Sequence, residues 1–233
     1  MRKEDLLKSI ESEFLKDSDI KVADLQNYSK PFAPTFKTGT TTVGLICKDA
    51  VILGTDRRAT MSYFVASKTA EKVHKIQEHL WMCIAGGVAD AQFLVDILKA
   101  ETSIYQLKRE KKISVRAAGK MLSNLLYQNK MYPYQVGLIL GGVTSSEGPV
   151  LLNIGAYGSI LPDKFVAVGS GQNFSYGVLE AKYKDDLSIQ EGKEIIKTAV
   201  TSSIIRDMAS GNGIDIVIIK ENGPADREFI SID

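Results

Sequence analysis

The 233-residue sequence has only two cysteines, Cys47 and Cys83, and each lies in an apolar run with no metal-ligand spacing around it. Two such isolated thiols argue against a disulfide framework, and we interpret both as buried side chains without chemistry. Long hydrophobic runs are also missing. The longest, from Leu80 to Ala89, falls well short of the roughly 20 residues that a membrane helix needs. We therefore expect no transmembrane segment.

An excess of one charge is absent as well. Lys and Arg total 29 against 28 for Asp and Glu, so the net charge is +1, too small to attract nucleic acid or an anionic membrane. The first 19 residues mix acids and bases among the apolar side chains, unlike a secretory signal or an organelle transit peptide. No Walker loop, dinucleotide fingerprint or HExxH motif occurs. We expect a cytoplasmic protein with no cofactor, no metal, no nucleic acid and no membrane partner.

The chain divides near residue 39. Residues 4–16 place Leu7, Ile10 and Phe14 at helical intervals, which predicts a short amphipathic helix. Residues 17–39 contain two prolines and end in glycine, which is typical of a linker. Residues 40–233 follow as one domain.

That domain alternates blocks of strands with blocks of helices. The segment 40–56 predicts a hairpin around a Lys-Asp turn, and a helix over 89–108 is predicted from Phe93, Leu94, Ile97, Ile104 and Leu107. Ser188 is a candidate N-cap for a later helix. The remaining predictions are strands at about 64–68, 73–76, 80–85, 135–143, 149–157 and 214–220, and helices at 114–130, 173–183 and 188–208. Blocks in this order predict an α+β fold, a four-layer αββα sandwich.

A series of short motifs runs in order through the domain. They are Gly39-Thr40-Thr41-Thr42-Val43-Gly44, Asp49-Ala50-Val51, Thr55-Asp56-Arg57-Arg58-Ala59-Thr60, Lys72-Val73-His74-Lys75-Ile76, Ala85-Gly86-Gly87 with Ala89-Asp90-Ala91, Gly169-Ser170-Gly171, Tyr176-Gly177-Val178-Leu179-Glu180 and Arg206-Asp207-Met208-Ala209-Ser210-Gly211. Their order and spacing resemble an archaeal-like β-type subunit of the proteasome core particle in its precursor form. The resemblance covers nearly all of 40–220 and implies the N-terminal nucleophile hydrolase fold, with residues 1–39 as a propeptide.

Thr40 is the candidate nucleophile. An alcohol attacks a carbonyl poorly at neutral pH without a base nearby, and an N-terminal threonine carries such a base in its own α-amine. In the full-length chain that nitrogen belongs to the Gly39-Thr40 amide and has no useful basicity, so the leader keeps the enzyme inactive. Glycine before the threonine leaves the carbonyl uncrowded for intramolecular attack. We expect autocatalytic cleavage between Gly39 and Thr40.

The resemblance supplies the remaining catalytic candidates. Lys72 would disfavour protonation of the Thr40 amine, and Asp56 would hold Lys72 in place. The backbone N–H of Gly86 would face the developing oxyanion. The residues expected to orient the amine and relay protons are Ser170, Asp207 and Ser210.

The resemblance also implies a substrate pocket and an assembly. Thr60 and Gly86 would pair with the substrate backbone. The pocket for the residue before the cut would involve Ala59, Ala70, His74, Ile84 and Val88, which are mostly apolar and favour cleavage after hydrophobic residues. Partners would be other β-type subunits in heptameric rings, α-type subunits, unfolded polypeptides and, indirectly, a regulatory ATPase. The helix at 4–16 would then dock against neighbouring subunits rather than anchor the chain to a membrane.

Two alternatives stay open. A bacterial-type two-tier ATP-dependent threonine protease shares the early threonines and the Gly-Gly-x-Ala-Asp-Ala stretch, although Met131-Tyr132-Pro133-Tyr134 and 206–211 fit the proteasome better. A non-catalytic scaffold subunit of the same ring would lack the threonine, the lysine or the cleavage site. Gly39, Thr40, Asp56 and Lys72 are all present, which argues against a scaffold. Neither His74 nor His79 has a metal partner at suitable spacing, and we expect structural roles for both.

Overall fold

The computed structural model describes residues 39–232, which form twelve strands and four helices. In chain order they are β1 Thr41–Ile46, β2 Ala50–Asp56, β3 Ala59–Met61, β4 Phe64–Ser67, β5 Val73–Gln77, β6 Leu80–Gly86, α1 Val88–Arg109, α2 Val115–Gln128, β7 Val136–Thr144, β8 Gly148–Gly155, β9 Ile160–Pro162, β10 Phe165–Gly169, α3 Gln172–Lys182, α4 Ile189–Arg206, β11 Ile214–Lys220 and β12 Asp226–Ile230. The helix predicted at 4–16 and the linker up to 38 lie outside the described residues.

Two antiparallel five-stranded sheets form the centre of the fold. The first has the order β10-β1-β2-β11-β12 and the second the order β5-β6-β7-β8-β9. Strands β3 and β4 form a separate two-stranded ribbon. Strand β1 is paired on both sides, with Thr41 opposite Gly169 of β10 and Thr42 opposite Thr55 of β2. The segment that follows Thr40 is thus fixed by hydrogen bonds to two neighbours.

Three buried apolar clusters separate four layers. Side chains alternate along β2, so that Val51 and Leu53 face the second sheet while Ala50 and Ile52 face α3 and α4. On the other side of the molecule, α1 and α2 pack on the second sheet around residues such as Leu138. Burying both faces of each sheet requires a helix layer outside each one. The predicted α+β, αββα sandwich is confirmed.

Local capping explains where two of the helices begin. The Ser188 hydroxyl accepts a hydrogen bond from the Glu191 backbone N–H (3.3 Å), and the Glu191 carboxylate accepts one from the Ser188 N–H (2.9 Å), which forms a capping box at α4. Helix α2 begins after Ser114, whose hydroxyl accepts from the Ala117 N–H. The predicted N-cap at Ser188 is confirmed.

The structure corrects several details of the sequence prediction. Strands β3, β9, β10 and β12 were not predicted. Strands β3 and β9 have only three residues each, β10 is an apolar run that periodicity does not distinguish from a helix, and β12 is rich in charge. Helix α1 is confirmed, but four of the five positions that predicted it are exposed: Phe93, Ile97, Ile104 and Leu107. Its buried face consists of Ala91, Leu94, Val95, Leu98 and Thr102. Within residues 39–232, no helix has the length and hydropathy to span a bilayer.

Candidate active site

Thr40 lies directly before β1 and is 6% exposed. Strand β10 approaches it closely at Gly169, which has a φ of +110° and lies so near that a Cβ there would stand 2.0 Å from the Thr40 carbonyl oxygen. Only glycine accommodates both the positive φ and this contact. The Gly169-Ser170-Gly171 motif therefore brings Ser170 beside Thr40.

A cavity of about 290 Å³ opens beside Thr40. All seven residues predicted to bind substrate line it: Ala59, Thr60, Ala70, His74, Ile84, Gly86 and Val88. Gly39, Thr40 and Lys72 line it as well, together with Glu71, Ala85 and Gln92, which the sequence had not indicated. The exposed wall is thus mostly apolar, with polar groups from six residues: Thr40, Thr60, Glu71, Lys72, His74 and Gln92.

The Asp56 carboxylate is fully buried and accepts four hydrogen bonds. Its Oδ1 accepts from Lys72 Nζ at 2.6 Å and from the Thr41 N–H at 2.9 Å. Its Oδ2 accepts from the backbone N–H groups of Arg58 (3.0 Å) and Gly211 (2.9 Å). These four contacts, one of them from a cation, fix the orientation of the carboxylate.

Lys72 is the cation at the floor of this site. Its Nζ donates to Asp56 Oδ1 and to the Arg58 carbonyl oxygen, the latter at 2.5 Å. An ammonium has three N–H donors, so one remains for the cavity that Lys72 lines. Burial lowers the pKa of Lys72, against the attraction of the Asp56 charge, which raises it.

A second hydrogen-bond network surrounds the Thr40 nitrogen. The Thr40 N–H donates to Ser170 Oγ at 3.0 Å. Ser170 and Ser210 each place their hydroxyl 2.6 Å from the same oxygen, Oδ2 of Asp207, and donate to it. Asp207 therefore connects Ser170 and Ser210, because both hydroxyls donate to its carboxylate. The resemblance had implied that these three residues act together.

Gly86 ends β6 at the cavity wall with a φ of +105°. A Cβ at this position would lie 2.2 Å from the Gln135 carbonyl oxygen. On the other side of Thr40, the Gly39 N–H donates to Thr60 Oγ1 at 3.0 Å, and a Cβ on Gly39 would lie 1.7 Å from the Ala209 Cβ. Both glycines occupy places that a larger residue would obstruct.

Several residues that hold the site were not predicted from the sequence. Thr41 contacts both networks, through its N–H to Asp56 and its hydroxyl to Ser210. Arg57 forms a bidentate ion pair with Asp215 (2.6 and 2.7 Å). The threonine run and the adjacent arginines were visible in the sequence, but Ser210 and Asp215 lie more than a hundred residues further along the chain.

The two histidines have different surroundings. His79 is buried and its Nε2 lies 2.8 Å from the Ile113 carbonyl oxygen, which agrees with a structural role. His74 lines the cavity, and its Nε2 is buried without a hydrogen-bond partner. Burial lowers the pKa of both imidazoles. Among residues 39–232 no group of three or more His, Cys, Asp or Glu side chains is placed to hold a metal ion.

Comparison with known proteins identifies the family of the chain. The proteasome subunit family matches residues 36–219. The chain is 43% identical over 187 residues to proteasome subunit beta 2 of Aeropyrum pernix, covering 80% of this chain and 84% of that protein. It is 45% identical over 186 residues to the proteasome subunit beta of Methanocaldococcus vulcanius, covering 79% and 83%. For the proteasome subunit beta of Methanocorpusculum labreanum, identity is 47% over 186 residues, covering 79% and 87%. The chain therefore belongs to the proteasome subunit family, as a β-type subunit.

Proposed function

We propose that this β-type subunit is a threonine endopeptidase of the proteasome core particle, and that Thr40 is its nucleophile. The observation that carries the proposal is that Thr40 lines one cavity together with Lys72, which is paired with the buried Asp56. A scaffold subunit has no need of a buried cation beside a threonine, because burying a charged pair is costly for folding.

Processing is the first proposed step. The Thr40 hydroxyl attacks the Gly39 carbonyl carbon, the C–N bond to Thr40 breaks, and the acyl group passes to the oxygen as an ester. The freed nitrogen takes the proton, and water then hydrolyses the ester, which releases residues 1–39 and leaves Thr40 with a free amine. The hydrogen bond from Gly39 N–H to Thr60 Oγ1 holds the leader end in the cleft, which supports this step.

Peptide cleavage uses the same groups in the mature domain, residues 40–233. The Thr40 amine accepts the proton of the Thr40 hydroxyl, which attacks the peptide carbonyl. The Lys72 charge disfavours protonation of the resting amine. Ser170 and Asp207 orient the amine, and Ser210 supports Asp207. The Gly86 N–H donates to the oxyanion, where removal of one such donor in other enzymes costs about 2.7–4 kcal/mol.

The substrate class follows from the cavity. Ala59, Ala70, Ile84 and Val88 present apolar surface, so we infer a preference for unfolded polypeptides cut after hydrophobic residues. As in the family, the chain would assemble with other β-type subunits in heptameric rings, stacked against α-type subunits in the cytoplasm, and receive substrates through a regulatory ATPase. Isolated monomers would then be nearly inactive.

Intact-mass analysis of the full chain co-expressed with an α-type partner tests the proposal. We expect loss of residues 1–39 in the unmutated chain, and no loss in Thr40→Ala or Lys72→Ala. Lys75→Ala is the matched control, because Lys75 lies nearby but pairs with Glu78 on the surface. Trimming of Thr40→Ala at the same bond with equal efficiency would mean that another protease does the processing. An unprocessed, assembled and inactive unmutated chain would instead favour the scaffold alternative.

A further inference from the structure

Thr41, the residue after the nucleophile, joins the two networks of the site. Its N–H donates to Asp56 Oδ1 at 2.9 Å, the same oxygen that accepts from Lys72 Nζ. Its Oγ1 lies 2.7 Å from Ser210 Oγ. The residue is fully buried. Thr41 thus contacts both the network of Asp56 and Lys72 and the network of Ser210 and Asp207.

The direction of the hydroxyl hydrogen bond follows from the number of protons. A carboxylate only accepts, so the single proton of Ser210 is committed to Asp207 Oδ2 at 2.6 Å. Ser210 Oγ therefore accepts, and Thr41 Oγ1 donates to it. The resulting chain runs from Thr41 through Ser210 to Asp207, and Asp207 also receives Ser170, which accepts from the Thr40 nitrogen.

The space around the Thr41 hydroxyl is closely fitted. A Cβ on Gly171 would lie 2.1 Å from Thr41 Oγ1 and 2.7 Å from the Ser203 Cβ. The space beside the hydroxyl has no room for a larger group. Within residues 39–232, the hydroxyl forms one hydrogen bond to a side chain, that of Ser210. Neighbouring Thr42 is equally buried, but its hydroxyl donates to the Val168 carbonyl oxygen at 3.2 Å and takes no part in either network.

We propose that Thr41 is a positioning residue whose hydroxyl, acting through Ser210, holds Asp207 and limits the negative charge that Asp207 presents to the Thr40 amine. The inference rests on the proposed function of Thr40. The Thr41–Ser210 hydrogen bond is buried and Asp207 is half-buried. Hydrogen bonds in such a chain polarise one another, so a donor two steps away still draws charge from the carboxylate. Without the Thr41 hydroxyl, Asp207 would stabilise the protonated amine more strongly.

The charged groups around the amine set the sign of the effect. Asp207 follows α4, Asp56 ends β2, Lys72 precedes β5, and Arg58 follows β2 with its guanidinium bonded to Asn212 and to the Met208 carbonyl oxygen. Removing the Thr41 hydroxyl changes only the effect of Asp207 on the pKa of the amine, because the hydrogen bond from Thr41 to Asp56 comes from the backbone N–H. A stronger anion raises the pKa of the amine, so the acid limb of the kcat/KM profile should move to higher pH.

The test compares Thr41→Ser, which keeps the hydroxyl, with Thr41→Ala, which removes it, each in the full chain co-expressed with an α-type partner. kcat/KM for an apolar fluorogenic peptide is measured from acid to alkaline pH on assembled particles. For Thr41→Ala we expect an upward shift of the acid limb and a loss of about three- to tenfold at neutral pH. Thr41→Ser should keep the position of the limb. Thr42→Ala is the control and should not move it.

Ser210→Ala removes this hydrogen bond and also the direct one from Ser210 to Asp207 Oδ2, so it should shift the acid limb upward by more than Thr41→Ala does. An unmoved limb in an active Ser210→Ala particle overturns the inference even if Thr41→Ala fails to assemble. If the acid limb of an active Thr41→Ala particle does not move, or if its kcat/KM falls equally at every pH, this inference is overturned while the proposed function stands. An equal shift in Thr41→Ser and Thr41→Ala also overturns it, because the methyl rather than the hydroxyl would then be responsible. If the unmutated particle is processed to Thr40 yet cleaves no peptide, the proposed function fails, and this inference fails with it.

Discussion

The Lys72 ammonium and the Asp56 carboxylate form an ion pair of 2.6 Å whose two side chains are 6% and 0% exposed. The carboxylate has three further donors, all backbone N–H groups, from Thr41, Arg58 and Gly211. We therefore expect the pair to affect the stability of the domain as well as its proposed chemistry. Removing one partner of a buried pair leaves a charge without compensation.

The two partners should differ in their effect on stability. Asp56→Ala leaves Lys72 and three backbone donors without their acceptor, and we expect a loss of about 3–5 kcal/mol in the free energy of unfolding. Lys72→Met should cost less, because three donors still compensate the Asp56 charge. Denaturant unfolding of the full chain measures both. Asp185→Ala, which breaks the exposed pair with Lys164, is the control and should change stability little. An Asp56→Ala cost no larger than that of Lys72→Met contradicts this account.

Gly86→Ala should damage both stability and activity. Its φ of +105° is unfavourable for alanine, and the new Cβ would overlap the Gln135 carbonyl oxygen. Backbone strain of this kind costs about 1–3 kcal/mol before the overlap is counted. The control is Gly177→Ala in α3, where a Cβ meets nothing within 4 Å, and we expect it to stabilise by about 0.5–1 kcal/mol. Melting temperature and peptidase rate are the measurements; equal behaviour of the two variants argues against a special role for Gly86.

The cavity should determine which residue precedes the cut. Ala70→Leu would fill part of the space of about 290 Å³, so kcat/KM should fall about tenfold or more for peptides with a large apolar residue at that position. Peptides with alanine there should be affected less. Ala100→Leu, on the exposed face of α1, should change neither. Faster turnover of basic than of apolar fluorogenic peptides by the unmutated particle would refute the apolar preference.

His79 should make stability depend on pH in the weakly acid range. Burial lowers the pKa of its imidazole, so the folded chain resists protonation while the unfolded chain protonates near the ordinary value of about 6.5. As the pH falls below that value, the unfolded state binds more protons and stability decreases; the contribution is fully present above it. His79→Gln should show a smaller drop in melting temperature between about pH 7.5 and 5.5. An unchanged drop would mean that His79 does not contribute to it.

Much of the fold could be predicted because its signals are local. The hairpin of β1 and β2, strand β11 and the Ser188 cap each depend on residues that are close together in the sequence. Strand β10 was missed because five apolar residues do not distinguish a strand from a helix. Helix α1 has apolar residues on two sides, and the periodicity was matched mainly to the exposed side with Phe93 and Ile97 rather than to the buried side with Leu94 and Leu98.

The candidate site divides in the same way. The family resemblance that the motifs carry implied Thr40, Asp56, Lys72 and Gly86, and the structure places Thr40, Lys72 and Gly86 on one cavity, with Asp56 paired to Lys72. Glu71 and Gln92 on the cavity wall carried no distinguishing pattern.

By itself the sequence determined the layers and the residue types that the chemistry needs, because periodicity and motif order are properties of neighbouring positions. Only the tertiary structure decided which groups meet. Thr40 N and Ser170 Oγ are 130 positions apart, and the Thr41 and Ser210 hydroxyls are 169 apart. Contacts over such separations form only after distant strands have paired within the first sheet, because β10 beside β1 brings Ser170 to Thr40, and the segment before β11 brings Ser210 to Thr41. Closing such long loops costs entropy that the pairing of whole strands offsets.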